Sequence, residues 1–420
     1  MKNPKKENID IKNLEVDNSY LYHKFRSSIA SQDFKKGDAW PTADLSSDDQ
    51  LIAIAQLKPS LDEGNEQEII EWKDKMVQNV MKMDDLTADV LDIISYLWIQ
   101  NSKDPDSLIY VTADDFLRCR GIKEKKSGTG RRGGYEDTQR KDIAENIDIL
   151  DKTWITVKEM ELDEKTIQSS TKNKKKKVVW RGESKAVVIT SRLGQMNLDG
   201  QIEPYAWRVR PGDCFAKFLF GPGRQTALLS QRALEYDPQK YKIEKRLARY
   251  FAWQWRNRSS NISFLQPFSI KTLLEACRED IDYSRPSRIR ERLEKALDKL
   301  REDSVILGWQ YENIEENRLN KRGWVNEWIN LKILIEPPQI VMDQYQKINY
   351  SRKSSIKAKT EEKISNFDFT EIRKKRENLK LTLLQASEEM GISVSRLSRI
   401  ERGEKPSPET LSKILSWLEV

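Results

Sequence analysis

"IRKKRENLKLTLLQASEEMGISVSRLSRIERGEKPSPETLSKIL", Ile372 to Leu415, is punctuated as short helices joined by tight turns. Ile372 and Leu379 give a first helix its inner face, after Asn366 or Asp368 as a cap. Thr382 caps a second helix that is expected to turn Leu384, Ala386 and Met390 inward. Gly391 supplies the left-handed residue of a tight turn. Ser393 or Ser395 starts a third helix, with Leu397 and Ile400 inside and Arg396 and Arg399 outside, and Gly403 stops it. A fourth helix follows Pro406 to Pro408. The spacing of apolar positions makes 368–420 an all-α domain.

This run resembles the phage-repressor (Cro/C1, or Xre) family of helix-turn-helix domains. The likeness rests on the Gly391 turn, the small Ala386, the Ser-Arg-Ile-Glu-Arg-Gly close of the third helix and the Pro-Ser-Pro-Glu-Thr-Leu entry to the fourth. In that family the third helix lies in the major groove and reads base edges. The resemblance implies that Val394, Ser395, Arg396 and Arg399 contact DNA. It also has a departure: Leu383 stands where the family often places a phosphate-binding Gln.

Upstream of this domain, Gln344 to Asn366 is rich in Ser and Lys without apolar period and reads as a tether, giving a linker over 338–367. Before it, 241–337 shows helices at Lys242–Arg256, Ser269–Glu279 and Pro286–Asp303, then strands at Val305–Tyr311 and Trp328–Ile335. Helices followed by a β-ribbon predict a winged helix. In the third of these helices Arg285, Arg288, Arg292, Lys295 and Lys299 share one face, beside an apolar face of Ile289, Leu293, Ala296, Leu297 and Leu300. That arrangement suits a recognition helix, and also a solvated charged face neutralised by Glu291, Glu294 and Asp298.

The same order occurs over 84–195. Val90, Leu91, Ile94, Leu97 and Trp98 mark a helix after Thr87 and Asp89 as candidate caps. A strand Leu108–Thr112, a helix Asp114–Arg120, a Gly-rich basic loop and a helix Thr138–Trp154 follow. Strands Ile155–Leu162 and Lys177–Thr190 are expected to form the wing. In the loop, Gly128, Gly130, Gly133 and Gly134 let amides approach a phosphate, and Arg131, Arg132 and Arg140 supply charge. Gly134 and Tyr135 stand where a nucleotide loop needs Lys and Ser or Thr, which argues against ATP. Residues 196–240 read as a connector, and 1–83 as a loosely ordered arm with one helix near Glu66–Met83.

The fold class expected is α+β: mainly α with small β-ribbons, as two tandem winged-helix domains plus the all-α helix-turn-helix domain. "KRLARYFAWQWRNR", from Lys245, and "FSIKTLLEACREDIDYSRPSRIRERLEKALDKLREDSVI", from Phe268, resemble the second winged helix of plasmid replication initiators. There, such a unit binds repeated origin sites. Trp253 and Trp255, among Tyr250, Phe251 and the arginines nearby, read as core rather than as base-stacking groups.

Composition narrows the chemistry. The chain has 420 residues, a net charge of +7 and 34% charged residues, which suits a polyanionic partner without requiring one. His23 is the single histidine, set in a polar stretch, so zinc hydrolases, Ser-His-Asp hydrolases and histidine-dependent nucleases are disfavoured. Cys119, Cys214 and Cys277 are widely spaced among apolar residues and read as buried thiols. No apolar run approaches a membrane span and no leader is evident.

The function expected is sequence-specific binding of double-stranded DNA in the cytoplasm by a plasmid-type replication initiator, with a transcriptional regulator as the alternative. A nickase or transposase is a third reading, and would need a carboxylate cluster for Mg²⁺ or a nucleophilic Tyr. Neither an enzymatic activity nor a cofactor, metal or small-molecule ligand is expected. Replication proteins and a second copy of the chain are candidate partners.

Overall fold

The computed structural model describes residues 13–35, 40–47, 50–59, 66–126, 128, 133–162, 178–196, 202–220, 224–259, 264–281, 283–312, 323–347, 370–402, 404 and 406–419. They form two compact units, Met1–Met342 and Asp343–Val420. The fold is α+β, with helices and small antiparallel sheets. No helix among the described residues is long and apolar enough to cross a membrane.

The N-terminal region corrects the expectation of a loose arm. β1 (Asn13–Asp17), α1 (Tyr20–Ser31), β2 (Thr42–Ser47) and β3 (Gln50–Leu57) precede the expected helix, α2 (Glu66–Lys82). Ser19 caps α1, and Tyr22, Phe25 and Ile29 are fully buried on one face of it. Burial of each such side chain contributes about 2 kcal/mol, which overrides the polar composition of the segment.

The first winged helix follows: α3 (Asp85–Asn101), β4 (Ile109–Thr112), α4 (Ala113–Cys119) and α5 (Asp137–Asp151). Asp84, not Thr87 or Asp89, is the N-cap of α3; it forms a reciprocal capping box with Thr87. The wing differs from expectation. β5 (Thr153–Leu162) and β6 (Val178–Lys185) pair with each other, but in a sheet ordered β2-β3-β5-β6. The winged helix draws its ribbon instead from β7 (Val187–Met196) and β8 (Ile202–Pro211), in the order β4-β8-β7. The strand expected over Lys177–Thr190 therefore passes at Ala186 from one sheet to the other.

Gly212 shows how tightly that junction is built. Its N–H donates to the Ala186 carbonyl, and a Cβ at 212 would stand 1.7 Å from the Lys185 carbonyl oxygen. Only glycine allows this approach.

The segment read as a connector is likewise folded. It holds β8, α6 (Asp213–Leu219), β9 (Thr226–Ser230), which pairs with β1, and α7 (Arg232–Glu235). Trp207, Phe215, Leu229 and Leu234 are buried there. The Gly221–Gly223 turn lies outside the described residues.

The second winged helix comprises α8 (Lys242–Ser259), β10 (Phe268–Ser269), α9 (Ile270–Cys277), α10 (Pro286–Glu302), β11 (Gly308–Tyr311), α11 (Trp324–Trp328) and β12 (Lys332–Glu336). Its sheet is ordered β10-β12-β11. Trp328, expected in a strand, is the last residue of α11 and fully buried. A further helix, α12, spans 339–347. Most of the expected tether, from 348, lies outside the described residues.

The second unit contains α13 (Thr370–Asn378), α14 (Leu383–Met390), α15 (Val394–Glu401) and α16 (Pro408–Glu419). Its core joins Ile372, Ala386, Met390, Leu397, Ile400, Ile414 and Trp417.

Candidate nucleic-acid interface

In the second unit the turn between α14 and α15 is set by local chemistry. Thr382 and Gln385 cap α14 reciprocally, Gly391 ends it at φ 61°, and Ser393 is the N-cap residue of α15. A bidentate pair from Arg376 to Glu401, at 2.8 and 3.0 Å and nearly buried, ties α13 to α15. Trp417 donates its ring N–H to Glu389 at 2.7 Å, holding α16 against α14.

Two inward assignments are corrected. Leu379 lies beyond the end of α13 and is 52% exposed, and Leu384 is 56% exposed. Leu381 and Leu383 pack on the core instead. Steps of 100° from Ala386 and Met390 bring 383, not 384, to the inner face. Leu383, at the position where a phosphate-binding Gln was sought, thus serves the core. Gly403 lies outside the described residues.

Val394, Ser395, Arg396 and Arg399 are all exposed on α15. Arg396 donates to the Ser407 hydroxyl at 3.1 Å, and Arg399 stands 3.6 Å from Glu404 in a solvated pair. Such weak contacts leave both guanidinium groups available to DNA.

In the second winged helix, α10 buries Ile289, Leu293, Ala296, Leu297 and Leu300. Arg290 pairs with Glu294, which accepts from the Tyr311 hydroxyl at 2.7 Å, and Tyr311 accepts in turn from the Trp328 ring N–H. This chain of bonds fixes α10 to the ribbon.

The five basic residues singled out on α10 have different fates. Arg285 and Arg288 are exposed at its N-terminal turn and have no ion pair among the described residues. Exposed Tyr283 and Ser287, not anticipated, stand beside them. Arg292 is paired with Glu279 at 2.8 Å, and Lys295 is loosely placed 3.7 Å from Glu291. Lys299 donates to Asp303 at 3.2 Å, which raises its pKa, and Asp303 also accepts from the Tyr236 hydroxyl. Lys299 thus serves the packing of the helix end.

The first winged helix differs in charge. α5 carries Asp137, Asp142, Glu145, Asp148 and Asp151 against Arg140 and Lys141. Arg140, expected to meet phosphate, is held by Asp114 at 2.7 and 3.3 Å and by Asp137 at 3.1 Å. Hydrogen bonding to Asp114 raises its pKa. Lys185 and Arg192 likewise reach Asp151. Arg131 and Arg132 lie outside the described residues.

A buried electrostatic cluster lies inside the body. Asp85, Asp89 and Asp92 project from one face of α3 into a cluster with Arg26, Arg120, Lys245, Arg246 and Arg249. Arg249 alone reaches all three carboxylates. Burial raises the pKa of Asp89 and lowers that of Lys245 to about 8. The i, i+4, i+7 spacing of the aspartates was the signal available in the sequence. The cluster joins α1, α3 and α8, so the two winged helices are packed as one body. Trp255 is buried, and Trp253 stacks on His23 at 4.0 Å, so neither ring is a free stacking platform.

Residues 372–420 match the helix-turn-helix family model. The chain therefore carries a DNA-binding helix-turn-helix domain of the phage-repressor type in that segment. Among solved structures, two crystal structures of domains 2 and 3 of RctB are similar to this chain, each at 13% identity. One covers 74% of this chain and 97% of its own at a TM-score of 0.37; the other covers 73% and 94% at 0.35. No curated protein matches the sequence.

Proposed function

We propose that the protein is a sequence-specific binder of double-stranded DNA and acts as a plasmid-type replication initiator. The observation that carries DNA binding by the body is the N-terminal turn of α10, where Arg285 and Arg288 are exposed, with no ion-pair partner among the described residues, beside Tyr283 and Ser287. In a winged helix this end of the third helix enters the major groove, so the two arginines would meet base edges or phosphates. The outer face of α15, with Val394, Ser395, Arg396 and Arg399, is the second reading surface.

Two readers joined by a linker suit an array of spaced sites, because binding by one raises the effective concentration of the other. The first winged helix would act mainly as scaffold, since α5 is acidic and Arg140 is committed to carboxylates. The protein works by binding and distorting DNA in the cytoplasm, not by catalysis. Replication proteins and a second copy of the chain are the partners this role implies.

The helix-turn-helix domain equally suits a transcriptional regulator, and one experiment separates the roles. A plasmid holding only this gene and its upstream DNA is introduced into a host with no other initiator. Autonomous replication supports the initiator; repression of a reporter without replication assigns the regulator. Footprints over regularly spaced repeats, rather than one short palindrome, accompany the first outcome.

A further inference from the structure

Between α1, α8 and α9 lies a cavity of about 30 Å³, lined by His23, Arg26, Ser27, Arg246, Arg249 and Tyr250 among others. No acidic side chain lines it. Its floor is the cationic side of the buried cluster, while Asp85, Asp89 and Asp92 approach the same arginines from α3. His23, Ser27 and Ala276 are half-buried at the rim.

We infer that this cavity is a binding site for one small monovalent anion of halide size, which clamps the N-terminal helix onto the second winged helix. Three observations carry it. First, the donors are incompletely used. Arg246 donates to Asp85, to the Cys277 carbonyl and to the Ala30 carbonyl; Arg26 donates to Asp92 and to the Arg249 carbonyl. A guanidinium carries five N–H groups, so hydrogens remain on both without acceptors among the described residues.

Second, His23 Nδ1 is buried with no hydrogen-bond partner, on a ring that lines the cavity and is locked by stacking on Trp253. Burial, and then Arg26 and Lys24, push the His23 pKa well down, so the ring is neutral and stands in the wall as an uncharged, fixed plane.

Third, the buried charges do not balance. Arg26, Lys245, Arg246 and Arg249 outnumber Asp85, Asp89 and Asp92. Asp17 is the remaining buried carboxylate near Arg26, and burial holds its pKa up at about 7, so it is not a full counter-charge. Each of these cations has a carboxylate partner, but the carboxylates are shared; the excess positive charge is costly to bury, and an anion in the cavity offsets it. The space limits the size: a water needs about 10–15 Å³ on this scale, so about 30 Å³ excludes anything larger than a small ion or a pair of waters.

Bromide is the probe. Thermal melting of the full chain is followed in sodium bromide and sodium gluconate at constant ionic strength, and crystals grown in gluconate are soaked in bromide. The expected result is a saturable rise in Tm with bromide, absent in gluconate, and an anomalous peak beside Arg26, Arg246 and His23. Ser27→Leu and Ala276→Leu, which fill the rim without touching the ion pairs, are expected to abolish the bromide-dependent rise while the protein still melts cooperatively. Equal Tm in the two salts, a rise that both variants retain, or a bromide peak only elsewhere would overturn the site.

Discussion

Arg285 and Arg288 differ from the other cations of α10 in one respect, the lack of a carboxylate partner among the described residues. Replacing either with Ala should therefore weaken DNA binding and lower the slope of log K against log salt by about 1. Lys299→Ala should leave that slope unchanged; fluorescence anisotropy across a salt series distinguishes the cases. Asp89 is fully buried and faces Arg120, Lys245 and Arg249. Asp89→Ala leaves those cations uncompensated and should cost about 3–5 kcal/mol in urea unfolding. Asp17 titrates in a useful range. Burial raises its pKa from 3.8 to about 7, so between those values the folded state keeps a proton that the unfolded state has lost. Stability contributed by this group is full below 3.8, falls as pH rises through about 7 and is flat above, by at most about 4 kcal/mol. Asp17→Asn should flatten that part of the stability profile; an unchanged slope in calorimetry from pH 5 to 8 would discount it.

Elements with local signals were legible and those with distant partners were not. α10 announces itself by Pro286 at its first turn and by Ile289, Leu293, Ala296, Leu297 and Leu300 at helical spacing. α14 and α15 are bounded by Thr382, Gly391 and Ser393, whose effects reach only a few residues. β5 and β6 were visible as strands, but their neighbour β3 lies about a hundred residues upstream, and strand pattern carries no address for a partner. The swap from β6 to β7 at Ala186 is equally silent, because the apolar run Ala186–Ile189 carries no Gly or Pro to mark it. α1 was missed because its buried face mixes Tyr22, Phe25 and Ile29 with Arg26, whose partner Asp92 is on α3. Of the proposed contacts, the α15 face could be read from spacing, whereas the pairing that commits Arg140 and Lys299 required the fold. Gly212 tests the β6–β7 junction: Gly212→Ala drives a Cβ into the Lys185 carbonyl. It should cost at least about 3 kcal/mol, read as a fall in Tm or as loss of soluble protein.

The whole molecule divides into a body that ends at Met342 and the unit that follows. Each has its own core, so 1–347, which keeps α12 whole, and 348–420 made separately should both melt cooperatively. Neither alone should match the intact chain on DNA holding sites for both. Covalent linkage is expected to be worth about 10²-fold or more in affinity; equal affinity of body and intact chain would show that the helix-turn-helix domain does not engage the same DNA.

The placement of charge has a practical consequence. Ion pairs around Asp85, Asp89 and Asp92 are shielded from solvent, while Arg285, Arg288, Arg396 and Arg399 are bathed in it. Dissolved ions screen the second group far more than the first. A concentrated salt wash should therefore strip nucleic acid from the protein while its interior stays assembled, and dilution should restore a binder that never had to refold.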